Sequence, residues 1–277
     1  MEVKISAADV KRLRDTSGAG MMDCKKALTE AGGDFDEAIA ILRKKGQKLS
    51  AKRADRHAKE GVVLAHVNDG QNKGVIVKLS CETDFVAKNQ DFVDMAQSIA
   101  EMALKNFPGS KDELLGMDFG GISLQDKITE QIGVIGEKVE LAEYKKLEAD
   151  AVAPYIHMGN KAAVLVGLNV HNGDAIDAGK NVAMQVAAMR PVAVNKDQVD
   201  SSIVEKEIEI GKEQARQAGK PEAMLEKIAL GKLNKFFKEN TLMSQAYVKD
   251  SKQSVEQYLK SVHPDLVVTD FRHVTLG

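Results

Sequence analysis

At 277 residues the chain is long enough for about two domains, and it can bury a core without help from disulfides or a structural metal. Lys and Arg number 39 against 41 Asp and Glu, and a net charge of −2 argues against a protein whose main task is to coat nucleic acid or an anionic membrane. Eight Phe, four Tyr and no Trp leave few rings for base stacking, while the lack of a leader or a long apolar run argues against secretion and membrane spanning.

Residues 1–46 read as three short helices. Ser6 with Asp9 has the spacing of a capping box, and Val10 and Leu13 give the first helix its apolar face. Thr16-Ser17-Gly18-Ala19-Gly20 breaks the pattern as a turn. A second helix is predicted from about Met22 to Ala31, stopped by Gly32-Gly33. Asp34 with Glu37 caps a third, whose stripe is Phe35, Ala38, Ile39 and Leu42 and whose predicted end is Gly46. Residues 43–59 then carry eight basic side chains against Asp55 alone, a local charge of +7 in seventeen residues. That run fits a solvated linker helix, or else a contact with an anionic partner such as RNA.

From residue 61 the period changes. Val62 to Val67 and Val75-Ile76-Val77-Lys78-Leu79 flank Asn68-Asp69-Gly70, which predicts a β-hairpin. Cys81 to Asn89 reads as a short polar connection, and from about Gln90 a helix places Phe92, Met95, Ala96, Ile99 and Met102 on one face. The unit recurs about 88 residues later. Asn160-Lys161 matches Asn72-Lys73, Val164 to Leu168 matches Val75 to Leu79, and a helix follows from about Lys180 to Met189. Residues 201–240 read as two charged amphipathic helices around Ala218-Gly219-Lys220-Pro221, an antiparallel hairpin with Val204, Ile208, Ala215, Met224, Ile228, Leu233 and Phe236-Phe237 apolar. A further helix at Val255, Tyr258 and Leu259 and a last strand around Leu266 to Val274 complete an α+β chain.

The expected segments are therefore 1–46 as a three-helix domain, 47–60 as a basic linker, 61–140 as one core subdomain, 141–200 with 241–277 as its repeat, and 201–240 as an inserted hairpin.

The sequence offers little covalent chemistry. There is no GxxxxGK[ST], and Gly18-Ala19-Gly20 follows a helix instead of a strand, which counts against a phosphate cradle. The six histidines have no metal-binding spacing, GxSxG does not occur, and the carboxylates are scattered. No catalytic residue, cofactor or metal ligand is expected. Cys24 and Cys81 lack a CxxC partner and are expected as free thiols in a reducing cytoplasm. Two local features stand out. Met21-Met22 open a helix, where successive side chains point about 100° apart and both cannot easily face one core. Asp84-Phe85 sits in a polar connection, where the ring either folds back into the core or protrudes.

Leu13 to Leu28, with its Thr-Ser-Gly-Ala-Gly-Met-Met-Asp-Cys centre, resembles the amino-terminal signature of the bacterial elongation factor Ts family. Cys81-Glu82-Thr83-Asp84-Phe85-Val86-Ala87-Lys88 resembles its second signature, Tyr155-Ile156-His157-Met158-Gly159 a third landmark, and Val204 to Glu207 with Gly219-Lys220-Pro221 its helical hairpin. Ser17 stands where the family usually has Thr, and Met158 separates His157 from Gly159, which some members place side by side. The chain stops at Gly277, where some members continue into a further helical module.

The resemblance implies a ubiquitin-associated-like amino-terminal domain and a cytoplasmic guanine-nucleotide exchange factor, not an enzyme of covalent chemistry. Its partner would be elongation factor Tu, GDP-bound and nucleotide-free, in a complex that can be of higher order, with no direct nucleic acid and no membrane. Arg14, Met21 and Met22 would contact the GTPase. Thr83, Asp84, Phe85 and Val86 would enter beside the nucleotide and dislodge Mg²⁺, and His157 would reach another domain of the partner. The competing reading is an RNA- or ribosome-binding module acting through residues 43–59.

Overall fold

The computed structural model describes residues 5–276; the outermost parts of the first and last expected segments, residues 1–4 and 277, lie outside the described residues. The described chain falls into two compact units. One is formed by the chain up to Leu64 with Val77–Tyr144 and the end from Thr275, the other by Ala65–Ile76 with Lys145–Val274.

The first unit opens with α1 (Ala7–Ser17), α2 (Met21–Glu30) and α3 (Phe35–Arg53). Ser6 accepts from the N–H of Asp9 while the Asp9 carboxylate accepts from the N–H of Ser6, so the predicted capping box is present. Gly18, at φ 70°, ends α1 in the left-handed region, where a side chain would be strained. Asp34 caps α3 by accepting from Glu37 N–H. Leu13, Cys24, Leu28 and Ala38 close a small apolar core between the three helices. The guanidinium of Arg12 lies 4.6 Å from the centre of the Phe35 ring, covering its outer face.

The chain continues through β1 (Glu60–Val67), β2 (Lys73–Cys81), α4 (Asp84–Ala87), α5 (Gln90–Asn106), α6 (Lys111–Gly116), α7 (Leu124–Ile135) and β3 (Val139–Glu148). The expected hairpin is β1–β2, and β3 joins it in the order β1-β2-β3. The predicted polar connection after Cys81 closes one helical turn, α4. α6, α7 and β3 come in addition to the elements expected from the sequence.

Gly46 does not end the third helix. α3 runs through it to Arg53, so the expected boundary between residues 46 and 47 falls inside a helix. The glycine serves a close approach instead. A Cβ on Gly46 would lie 2.8 Å from the carbonyl oxygen of Thr129, and one on Gly133 would lie 3.0 Å from the Cα of Gly46. Two bare backbones meet where α3 crosses α7.

In the second unit β4 (Ala151–Ile156) pairs antiparallel with β5 (Ala162–Leu168), from Ala151 opposite Leu168 to Ile156 opposite Ala163. α8 (Gly173–Met189) follows and starts earlier than predicted, because Asn172 accepts from Ala175 N–H and caps it there. Next come α9 (Ser201–Gln217) and α10 (Glu222–Asn240), then β6 (Ala246–Tyr247), β7 (Asp250–Ser254), α11 (Val255–Val262) and β8 (Val268–Thr275). β8 extends the second sheet in the order β4-β5-β8, and β6 pairs with β7. A Cβ on Gly179 of α8 would lie 2.7 Å from that of Ala153, so the helix rests directly on the sheet.

The predicted hairpin is α9 and α10. Gly211 of α9 packs against Ala229 of α10, and the buried seam is Gly211, Ala215, Leu225, Ala229 and Leu233. Met224, expected on that seam, is exposed, because Leu225, Ala229 and Leu233 at spacings of four set the phase and leave residue 224 about 100° away. The result is a mixed α+β architecture.

Candidate partner-docking surfaces

Cys24, Ala27 and Leu28 set the inward face of α2. Met21 and Met22, the first two residues of that helix, fall off this face and are 45% and 77% exposed. Arg14 is exposed in the last turn of α1. The turn between these helices is held locally. The Ser17 hydroxyl donates to the carbonyl of Leu13 at 2.7 Å and accepts from Ala19 N–H at 3.3 Å. The serine therefore supplies the hydroxyl that a threonine would at this position. With both methionines exposed, neither fills the core between the three helices.

The Phe85 side chain is 84% exposed, on the single turn α4. Val86 and Asp84 are half-buried beside it. Asp84 accepts from the Lys88 ammonium one turn on, at 2.6 Å, and that hydrogen bond holds its carboxyl below the usual range. The root of the turn is tied down more firmly. Glu137 accepts from both the N–H and the hydroxyl of Thr83, at 3.0 and 2.7 Å. Glu82 accepts from the guanidinium groups of Arg53 and Arg56 at 2.7 and 2.8 Å and from the N–H of Lys138 at 2.6 Å. Burial opposes the ionisation of Glu82, but the N–H of Lys138 and the hydrogen bonds from Arg56 and Arg53 outweigh it and hold the pKa down at about 2. Cys81 is buried, its thiol donating to the carbonyl of Thr83 at 3.2 Å. Burial, with the charge of Glu137 adding to it, pushes that thiol up to about 12, so it is not a reactive thiolate.

The supports of the turn, Arg53, Arg56, Glu82, Glu137 and Lys138, were not legible as site residues. Arg53 and Arg56 read only as part of a charge run, and Glu137 lies 54 positions from Thr83. The same geometry divides the basic segment. Arg43 pairs with Glu130, Lys45 with Asp23, and Arg53 and Arg56 with Glu82, all within the first unit.

In the second unit His157 stands at the tip of the β4–β5 hairpin, exposed. Its N–H donates to the carbonyl of Ala162 at 2.8 Å, and its Nδ1 lies 3.1 Å from the hydroxyl of Tyr155. Ile156 and Met158 on either side are 38% and 85% exposed. Arg14, Met21, Met22 and Thr83 to Val86 thus belong to the first unit and His157 to the second.

Among the described residues no group of three or more His, Cys, Asp and Glu is placed to hold a metal ion, and no helix is long and apolar enough to cross a membrane. Exposed Met and Phe side chains at the start of α2, on the single turn α4 and at the tip of the β4–β5 hairpin suit a protein that works by docking on another macromolecule. A family model described as Elongation factor TS matches residues 82–277. The chain is 59% identical over 274 residues to an elongation factor Ts of Christiangramia forsetii, covering 99% of each chain. It is 53% identical over 274 residues to that of Amoebophilus asiaticus, again over 99% of each, and 43% identical over 285 residues to that of Chlorobium phaeobacteroides, likewise over 99% of each. The chain belongs to the elongation factor Ts family.

Proposed function

We propose that this chain is the guanine-nucleotide exchange factor for elongation factor Tu in translation elongation, acting on the GDP-bound GTPase and holding its nucleotide-free form. Family membership supplies the partner. The observation that carries the mechanism is Phe85, a large apolar side chain left 84% exposed on a turn whose root is hydrogen-bonded at both Glu82 and Thr83. A ring carried on a turn whose root is already held enters a partner with less backbone ordering cost.

In this reading Thr83 to Val86 form the wedge that enters beside the nucleotide and dislodges Mg²⁺. That ion neutralises phosphate oxygens in the GTPase, and its departure leaves their charges repelling one another. Arg14, Met21 and Met22 dock the amino-terminal helices on the GTPase, and His157 with the hairpin tip reaches another of its domains. No covalent step is needed, only a higher affinity for the emptied partner than for the loaded one.

The domain organisation that goes with it has a ubiquitin-associated-like domain over 1–46, a basic stretch over 47–60 that continues its third helix as far as Arg53, and related core subdomains over 61–140 and over 141–200 with 241–277, whose shared boundary falls within β3. Residues 201–240 form the inserted helical hairpin. The paired layout of hairpin and following helix, β1–β2 with α5 and β4–β5 with α8, supports the repeat. The setting is the cytoplasm. An RNA-binding role for residues 43–59 is the weaker reading, because Arg43, Lys45, Arg53 and Arg56 are engaged by carboxylates of the chain itself.

Elongation factor Tu loaded with fluorescent GDP tests the proposal. Addition of this chain with excess unlabelled GDP should accelerate loss of the fluorescent nucleotide. Release at the unassisted rate would refute it.

A further inference from the structure

An isolated helical turn of four residues does not hold itself in water. α4, which carries Phe85, is such a turn, so its orientation must come from its flanks. The flank before it is fixed by a reciprocal exchange between two adjacent pairs of residues. The carboxylate of Glu137 takes the N–H and hydroxyl of Thr83, and the carboxylate of Glu82 takes the N–H of Lys138. The Lys138 ammonium then donates to the carbonyls of Ala54 and Arg56, at 3.0 Å each, so the end of α3 is tied into the same knot. Glu137 is the member that grips the turn itself, because Thr83 immediately precedes α4 and its carbonyl accepts from Ala87 N–H at 3.2 Å.

We propose that Glu137 is a positioning residue for nucleotide exchange: by holding both donors of Thr83 it fixes the direction in which Phe85 is presented to the partner. The inference rests on the exchange reading given above, in which Phe85 is the inserting side chain. Two carboxylate oxygens accept two donors from one residue, which leaves that residue a single orientation. A glutamine at 137 would keep one acceptor and lose the charge. A valine at 83 would keep the N–H and lose the hydroxyl, and a serine would keep both.

The test places Glu137→Gln, Thr83→Val and Thr83→Ser in wild-type and Phe85→Ala backgrounds. Three quantities are read: GDP release from elongation factor Tu, amide hydrogen exchange at Ala87 and Lys88 in the free protein, and the melting temperature. Glu137→Gln and Thr83→Val should each lower exchange efficiency roughly tenfold and speed the two amides by a similar factor, as loss of a charge-assisted hydrogen bond at a local structure implies. Thr83→Ser, which keeps both donors, should leave the protection of the two amides near wild type. In the Phe85→Ala background Glu137→Gln should have almost no further effect on exchange, which a general loss of fold would not produce.

Full exchange activity with unchanged amide protection in Glu137→Gln would overturn the proposal. So would an equal loss in both backgrounds. Should Glu137→Gln fail to fold, Thr83→Val decides by the same criteria. If Phe85→Ala itself exchanges like wild type, the reading of Phe85 falls and the positioning role with it; a damaging Phe85→Ala beside a silent Glu137→Gln removes the positioning role alone.

Discussion

A Phe ring left 84% exposed forgoes the ~1.5–3 kcal/mol that its full burial would contribute. If that burial takes place in the partner, Phe85→Ala should lower exchange efficiency by roughly 10- to 150-fold, at ~1.4 kcal/mol per factor of ten. Its folding stability should change by no more than about 0.5 kcal/mol, since little of the ring is packed in the free chain. Stopped-flow GDP release set beside a melting curve separates the two. A lower melting temperature with normal exchange would show that the ring works for the fold. The same reasoning applies to replacing Met21 and Met22 together by Ser: weaker binding to the GTPase, measured by calorimetry, with a nearly unchanged melt.

Glu82 makes a prediction of the opposite kind, on stability instead of activity. Its folded pKa of about 2 lies below the ordinary 4.5, so the ionised carboxylate stabilises the fold. That contribution is complete above about pH 4.5 and is lost as the pH falls toward about 2. Glu82→Gln should therefore be less stable than wild type at neutral pH, and the gap between the two should close across that acidic window. Urea midpoints measured at several pH values give the comparison. A gap that stays constant would mean that the charge of Glu82 contributes nothing to the fold.

At the scale of elements, glycines separate two uses of the same residue. Ala is intrinsically better than Gly in a helix by ~1 kcal/mol. At Gly231, on the open face of α10, a Cβ would meet nothing within 4 Å, so Gly231→Ala should stabilise by ~0.5–1 kcal/mol. At Gly46 the Cβ would stand 2.8 Å from a backbone oxygen of α7, and Gly46→Ala should destabilise by ~1–3 kcal/mol despite the better propensity. Opposite signs in thermal melts are the expected outcome, and stabilisation by both would contradict the tight helix crossing.

The caps at Ser6 and Asp34 and the hairpin turns were legible because they rest on rules of two to five residues. Gly46 was misread because a glycine that stops a helix and one that admits a second helix are the same letter. β3 escaped because its buried residues Val139, Leu141, Tyr144 and Leu147 step by two and then by three, so no period of two is sustained. In the candidate site, the exposed Phe85 lay within the reach of sequence as one of two alternatives. Its anchor Glu137 did not, since nothing local marks a carboxylate that closes a loop of 54 positions.

At the scale of the whole molecule, exchange is a problem of linked equilibria. A chain that weakens the hold of elongation factor Tu on GDP by some factor must itself be held more weakly by the GDP-bound form, by the same factor. A thousandfold coupling corresponds to about 4 kcal/mol, more than one buried phenylalanine supplies, so if Phe85 is the inserting side chain it must act together with the other surfaces or through loss of Mg²⁺. The four dissociation constants around this cycle can be measured by calorimetry: GDP with and without this chain, and this chain with and without GDP. The two ratios should agree, and if Thr83 to Val86 dislodge Mg²⁺ as proposed, added Mg²⁺ should weaken the hold on the GDP-bound partner. In Phe85→Ala the ratio should shrink while the affinity for the nucleotide-free partner falls by less than the exchange rate. Equal affinity of this chain for the loaded and the empty GTPase would leave no free energy with which to expel nucleotide, and exchange by this route would then be impossible.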